Sequence, residues 1–131
     1  MASLVVNTGR AIVTSRLRSG GTEPLNVGWG TGAGTTAAAD TTLFTETALN
    51  LSTTTGSRNA GTSSQVTTST TNDTYQVTAT LTASGAGTCT NAGLFDNITI
   101  GSGNLYAKSD FTGIVLASGD SISFTFKVQY S

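Results

Sequence analysis

The chain has 131 residues with 6 basic and 7 acidic side chains, a formal net charge of -1, no histidine and one cysteine. This composition excludes a zinc site in practice and removes the usual general base of a serine or cysteine nucleophile, so we expect no enzymatic activity and no cofactor or metal. It also lacks the clustered basic residues of a nucleic-acid-binding protein. The 27 threonines, 15 serines and 16 glycines favour one β-rich structural or binding domain.

Residues 1–21 differ from the remainder and predict an N-terminal arm with one short helix. Apolar residues recur there at near-helical spacing, namely Ala11, Ile12, Val13 and Leu17. Asn7 or Thr8 is a candidate N-cap, and Gly20-Gly21 is a candidate stop. Ile12, Val13 and Thr14 are β-branched, which leaves a strand as the alternative for this segment.

Residues 22–131 carry the alternation of polar and apolar residues that is typical of β-strands. The first strand is predicted around Leu25, Val27 and Trp29, with Trp29 in the core. Residues 30–46 form a long connection rich in glycine and threonine, which we expect Leu43 and Phe44 to anchor. No lysine follows its glycines at the spacing of a phosphate-binding loop, so nucleotide binding is not expected.

Two threonine-dense segments come next, at residues 48–56 and 63–71. They predict a pair of antiparallel strands joined by a turn at Arg58-Asn59-Ala60-Gly61. A second turn at Asn72-Asp73 precedes the clearest strand, in which Tyr75, Val77, Ala79 and Leu81 alternate with polar residues.

The C-terminal part predicts further strands. One is placed at residues 88–95, where Cys89 is expected to be a buried and inert thiol, and the last at residues 121–130 after a turn at Gly119-Asp120. Between them, apolar residues at 105–107, 111 and 114–116 indicate further strand structure. Short strands separated by turns indicate a single antiparallel β-sandwich or jelly-roll-like domain over residues 22–131, preceded by the short helix. Four aspartates lie at predicted turns, where aspartate commonly bonds nearby backbone groups: Asp40, Asp73, Asp96 and Asp120.

The order of several segments resembles that of small structural proteins of tailed-bacteriophage virions. These segments are NTGRAIVTSRL, PLNVGWGTGAGTTAAADTTLFTE, NAGLFD, GNLYAKSDF and GDSISFTFKV, which together span most of the chain. In such proteins a glycine-threonine segment ending in Leu-x-x-Glu, here residues 43–46, precedes the strands. A Gly-Leu-Phe-Asp element, here residues 93–96, recurs before the last hairpin.

The resemblance implies a β-sandwich virion protein without enzymatic activity. Related segments occur in capsid decoration (cement) proteins and in tail-fibre modules. The chain has no heptad or collagen-like repeats from which to build a fibre shaft, which favours decoration of the capsid exterior. The implied partners are the major capsid protein and further copies of the chain, with a trimer favoured. The alternative is a tail-fibre or tail-tip module that binds a host receptor or glycan.

We expect the first 20 residues to contact the capsid or a neighbouring subunit, because their apolar run and arginines contrast with the polar body. The candidate interface residues are Leu4, Val5, Val6, Arg10, Arg16 and Arg18. No apolar run approaches the roughly 20 residues that span a bilayer, and the N-terminus lacks a signal-peptide pattern. We therefore expect no membrane partner and assembly of the virion in the host cytoplasm.

Overall fold

Eight strands and one short helix make up the computed structural model, which describes residues 2–46, 49 and 58–130. The elements are β1 (Ala2–Val5), α1 (Asn7–Leu17), β2 (Asn26–Gly30), β3 (Asn59–Ala60), β4 (Thr62–Val66), β5 (Thr74–Thr82), β6 (Gly87–Phe95), β7 (Leu105–Leu116) and β8 (Ser121–Gln129). The strands form two antiparallel sheets, and the predicted mainly β fold with one N-terminal helix is confirmed.

The larger sheet has the strand order β1-β7-β6-β2-β3, and the smaller sheet has the order β4-β5-β8. The smaller sheet is built around the β5–β8 pair, in which nine residues of each strand face each other from Thr74↔Gln129 to Thr82↔Ser121. Both strands were predicted from strict alternation. That alternation puts their apolar side chains on one face of the sheet, where they meet the larger sheet.

The core lies between the two sheets. Trp29 on β2 contributes the largest buried side chain, and its ring meets Phe124 of β8 edge-on with 6.4 Å between the centroids. The buried residues of this core are Ile12, Val27, Trp29, Val77, Leu81, Ala83, Cys89, Ala92, Leu94, Tyr106, Ala107 and Leu116. The predicted core position of Trp29 and burial of Cys89 are therefore confirmed.

The outer faces of the two sheets differ in character. The smaller sheet presents a hydroxyl-bearing surface on which Thr80 bonds Ser123 and Thr82 bonds Ser121, each at 2.7 Å. The larger sheet is covered on its outer side by residues 31–46, the predicted long connection. Leu43 in this connection is buried, as predicted. In the smaller sheet, threonine thus occupies solvent-facing strand positions that charged residues fill in most proteins.

The predicted turn at residues 58–61 is wrong. Asn59 and Ala60 form β3, which pairs with β2, and the chain then passes through Gly61 into β4 of the other sheet. The first predicted partner strand, residues 48–56, lies outside the described residues except for Leu49. The second, predicted at residues 63–71, is confirmed only over residues 63–66, because β4 spans Thr62–Val66, where it pairs with β5.

Residues 2–21, the described part of the predicted arm, pack against the sandwich. Strand β1 pairs with β7 in the register Ala2↔Asp110 to Val5↔Ala107. Helix α1 also packs on β7 and places Ile12 in the core. The arm therefore forms one edge and one end of the larger sheet.

Candidate functional site

The start of helix α1 is set by tertiary contacts. Val6 occupies the N-cap position in an extended conformation without a side-chain cap. Thr8, one of the two predicted caps, donates its hydroxyl to the Leu105 carbonyl at 2.7 Å instead. Gly9 lies so close to the backbone of Tyr106 that a Cβ at this position would clash with it. The helix is thereby held against β7 at its first turn.

Helix α1 ends at Leu17, before the predicted glycines. Ser19 is the first residue in the left-handed conformation, with φ of 64°, and its N–H donates to the Arg16 carbonyl at 2.9 Å. The N–H of Gly20 then donates to the Ser15 carbonyl at 2.8 Å, and Gly21 has φ of 70°. These bonds satisfy carbonyls at the helix end and turn the chain towards β2.

Three arginines of this segment are exposed, namely Arg10, Arg16 and Arg18. Arg16 donates to the Gly21 carbonyl at 3.2 Å, and none of the three forms an ion pair with a carboxylate among the described residues. The chain has six cationic side chains. Of the remaining three, two are buried and ion-paired, and Lys127 lies exposed on β8. Three of the four cations without a carboxylate partner among the described residues therefore lie on α1 or directly after it.

Apolar and aromatic side chains lie beside Arg16. Leu17 is 82 % exposed and Tyr130 is 50 % exposed. Both line a shallow cavity of about 390 Å³ between α1 and the ends of β5 and β8, together with Val13, Arg16 and Glu23. We call Arg16, Leu17 and Tyr130, with Arg18 that follows Leu17 in the chain, the helix-end surface. Large exposed apolar side chains next to arginine are typical of protein contact surfaces.

The floor of this cavity is formed by uncharged tyrosines. Tyr75 and Tyr106 meet edge-on with centroids 6.2 Å apart, and Tyr106 hydrogen-bonds the hydroxyl of Tyr130. Burial, and then the nearby Glu23 carboxylate, raises the pKa of Tyr75 above its ordinary value. Burial also raises the pKa of Tyr106. At neutral pH these phenols therefore stay protonated and uncharged, and they provide aromatic area and hydrogen bonds.

The structure separates the six predicted interface residues into four groups. Arg16 and Arg18 belong to the helix-end surface, whereas Arg10 lies exposed in the first turn of α1. Leu4, which is 40 % exposed, and the half-buried Val5 lie on β1, where they line a different groove on the side of the sandwich. The prediction that Val6 is an interface residue is wrong. Val6 is fully buried with Leu43, Phe95 and Leu105, so it cannot contact a partner.

Two buried cations were missed by the sequence interpretation. Arg58 donates through Nε and Nη2 to the Glu46 carboxylate at 2.6 and 2.9 Å. Its Nη1 donates to the carbonyls of Asn97 and Ser102, both at 2.8 Å. The guanidinium carbon also lies 3.4 Å from the centroid of the Phe95 ring. The sequence signal at this position, an arginine before Asn-Ala-Gly, is also typical of a turn.

Lys108 is the second buried cation and holds the middle of the long connection. Its Nζ donates to Asp40 and to the Thr42 carbonyl, each at 2.9 Å, and lies 3.2 Å from the centroid of the Phe44 ring. The hydrogen bond from Lys108 holds the pKa of Asp40 below its ordinary value. Both buried cations have their donors engaged, so they stabilise the fold of residues 31–46 and do not present reactive groups.

Other reactive groups are also engaged within the fold. Burial raises the pKa of the Cys89 thiol to about 11, so the thiolate is scarce at neutral pH. Among the residues that the structure describes, no three histidine, cysteine or acidic side chains are grouped as metal ligands. No helix in this described part is long and apolar enough to cross a membrane. Comparison with protein-family models, with curated proteins and with solved structures finds no match to this chain.

Proposed function

We propose that this chain is a non-enzymatic structural protein of a tailed bacteriophage that binds the outside of the assembled capsid and stabilises it. One observation carries the proposal. Arg16 lies without a carboxylate partner among the described residues beside exposed Leu17 and Tyr130, and Arg10 and Arg18 are exposed on the same segment, whereas the outer face of the smaller sheet carries hydroxyl groups. A surface of this kind suits docking onto an acidic protein surface with an apolar centre.

Stabilisation of the capsid follows from where such a protein binds. A protein that contacts two neighbouring capsid subunits binds the assembled shell better than free subunits. Binding to the assembled state alone shifts the assembly equilibrium by mass action. Opening the shell then also requires breaking the added contacts. A rigid sandwich suits this role, because less conformational entropy is lost on binding than with a flexible binder.

The proposal is tested by binding to bare mature shells of the virus that encodes the chain. In a co-sedimentation assay, the double variant Arg16→Glu/Arg18→Glu should bind at least about tenfold more weakly than the wild type, because like charges then face the acidic partner. Lys127→Glu is the matched control, since it makes the same charge reversal on an exposed cation of β8. Bound wild-type protein should raise the temperature at which the shells disrupt.

Two outcomes would contradict the proposal. Equal binding of the double variant and the control would show that the helix-end surface is not the docking site. A copy number far below that of the major capsid protein in purified virions, measured by quantitative mass spectrometry, would exclude general decoration of the shell. It would favour the tail-fibre or tail-tip module, whose binding to host cells is then the next assay.

A further inference from the structure

The sandwich is closed along one side and open along the other. On the closed side β3 continues through Gly61 into β4, so the chain itself joins the edges of the two sheets. On the opposite side the edge strands are β1 of the larger sheet and β8 of the smaller, and no described strand pairs with the outer edge of either. A groove of about 930 Å³ runs between them, lined by residues of β1, β7 and β8. We call this the open side.

The open side exposes part of the core. The inward-facing side chains of β8 are only half-buried, namely Ile122, Phe124, Phe126 and Val128. Leu4 of β1 and Ile114 of β7 are exposed, and both line the same groove. On β5, the neighbouring strand of the same sheet, Val77 and Leu81 are fully buried. The apolar side chains are thus fully buried inside the sheet but only partly buried at its β8 edge. A further element packed against this edge would complete their burial.

Strand β8 also lacks the devices by which edge strands avoid pairing with other chains. Its nine residues contain no proline. They contain one charged residue, Lys127, whose side chain lies on the outer face of the sheet. The edges on the closed side are short, with two residues in β3 and five in β4. A long, nearly uncharged edge strand with one apolar face is a site for strand pairing between chains.

We propose that the open side is occupied by a second copy of this chain, with the two β8 strands paired antiparallel about a two-fold axis at Thr125. Thr125 is the middle residue of β8, so this register pairs all nine residues. It sets Phe124 opposite Phe126 of the second copy, both on the core face. It also sets Lys127 opposite Ser123 of the second copy, whereas an axis at Lys127 would oppose two like charges.

Charge and area both favour a second copy as the occupant. The strand is neutral apart from Lys127 and carries hydroxyl groups outward, so it is complementary to itself and offers little to a strongly charged partner. Nine residues make β8 about 30 Å long, and two sheets about 10 Å apart give a side about 20 Å high, or about 600 Å² per copy. Two copies would bury about 1,200 Å², the lower end of stable protein interfaces. A reversible dimer is therefore expected.

This inference goes beyond the proposed function, because it requires no capsid. The virion-protein resemblance implies a trimer, whereas a two-fold β8 pair makes a dimer. Analytical ultracentrifugation of the purified chain between about 1 µM and 1 mM distinguishes them. The expected result is a concentration-dependent species of twice the 13.2 kDa monomer mass. A chain that stays monomeric throughout this range, or that forms a trimer, overturns the inference.

A charge placed on the two-fold axis tests the register. Thr125 is exposed on the outer face of the sheet, so Thr125→Lys leaves the monomer core unchanged but opposes two lysines in the dimer. We expect the dimer dissociation constant to rise at least about tenfold. Ser64→Lys is the matched control, because it adds the same charge to the exposed outer face of β4, at the other edge of the sheet, and should leave the dimer intact.

Mixing variants makes the test independent of folding defects. Thr125→Lys and Thr125→Glu should each be weak dimers alone, and an equimolar mixture should recover dimer at least as strong as that of the wild type. Circular dichroism checks that each variant is folded. Unchanged dimerisation of Thr125→Lys, or failure of the mixture to recover, would show that β8 does not pair about Thr125.

Discussion

The Arg58–Glu46 ion pair allows the most specific prediction about stability. Glu46→Gln keeps the shape of the side chain but removes its charge and turns one acceptor into a donor facing a guanidinium. The wild-type pair has two charge-assisted hydrogen bonds, at 2.6 and 2.9 Å, worth about 1.5–3 kcal/mol each. Arg58 is buried, and removing one partner of a buried pair typically costs about 3–5 kcal/mol.

We therefore expect Glu46→Gln to lower the free energy of unfolding by about 4 kcal/mol, measured by urea denaturation. The midpoint of thermal unfolding should fall by about 12 °C, since about 3 °C per kcal/mol is typical of a domain of this size. A double-mutant cycle with Arg58→Met should show that the double variant is more stable than the sum of the single changes predicts, by about 2 kcal/mol.

Lys127→Gln is the control for this experiment, because Lys127 is exposed and forms no ion pair among the described residues. Its free energy of unfolding should stay within about 0.5 kcal/mol of the wild-type value. A loss below about 1 kcal/mol in Glu46→Gln, or additive single changes in the cycle, would refute the reasoning that the buried guanidinium depends on this carboxylate.

Two further predictions concern the acid range and the thiol. The backbone N–H groups of Thr70, Thr68 and Ser69 hold the pKa of Asp73 well below its ordinary value, so its stabilisation is present above about pH 4 and is lost as the pH falls towards the folded pKa. The unfolding free energy of Asp73→Asn should therefore fall less between about pH 4 and pH 2 than that of the wild type in parallel urea titrations; equal slopes would contradict this. Cys89 should react with a thiol reagent only after unfolding, and rapid labelling of the native protein would show that it is accessible.

The long connection over residues 31–46 shows how the buried cations act together with the glycines. Its N–H groups at Thr31 and Gly32 donate to the carbonyls of Thr45 and Phe44, so the connection folds back on itself. A Cβ on Gly34 would lie 2.6 Å from Cζ of Phe44, so a side chain at this position would displace the ring. Lys108 of β7, in the sheet beneath, contacts the same ring. The glycine-rich and threonine-rich connection is therefore an ordered cover of the larger sheet.

The predictions made from sequence succeeded where the signal is local. Strict alternation placed β5 and β8, and turn residues placed their boundaries, because the side-chain period of a strand is a property of neighbouring residues. The short helix was also found, although its predicted side-chain cap is wrong. Thr8 bonds Leu105, which is 97 residues away in the chain, and no local pattern contains that information.

The exposure of the candidate interface residues was predicted in part. The three arginines and Leu4 are exposed, but Val6 is buried because, between β1 and α1, it packs with Leu43, Phe95 and Leu105. Leu17 and Tyr130 were not singled out, because their exposure depends on how α1 crosses the ends of β5 and β8.

Composition and local pattern are sufficient to predict a β-rich chain with one short helix, few charges and many hydroxyl groups. These properties depend on residue content and on alternation between neighbouring residues, which require no knowledge of the fold. The crossing of residues 58–61 between sheets, the burial of Arg58 and Lys108, and the edge position of β8 became visible only in the folded chain. Strand order and ion-pair partners depend on contacts between residues far apart in the chain, where many pairings satisfy the same local pattern.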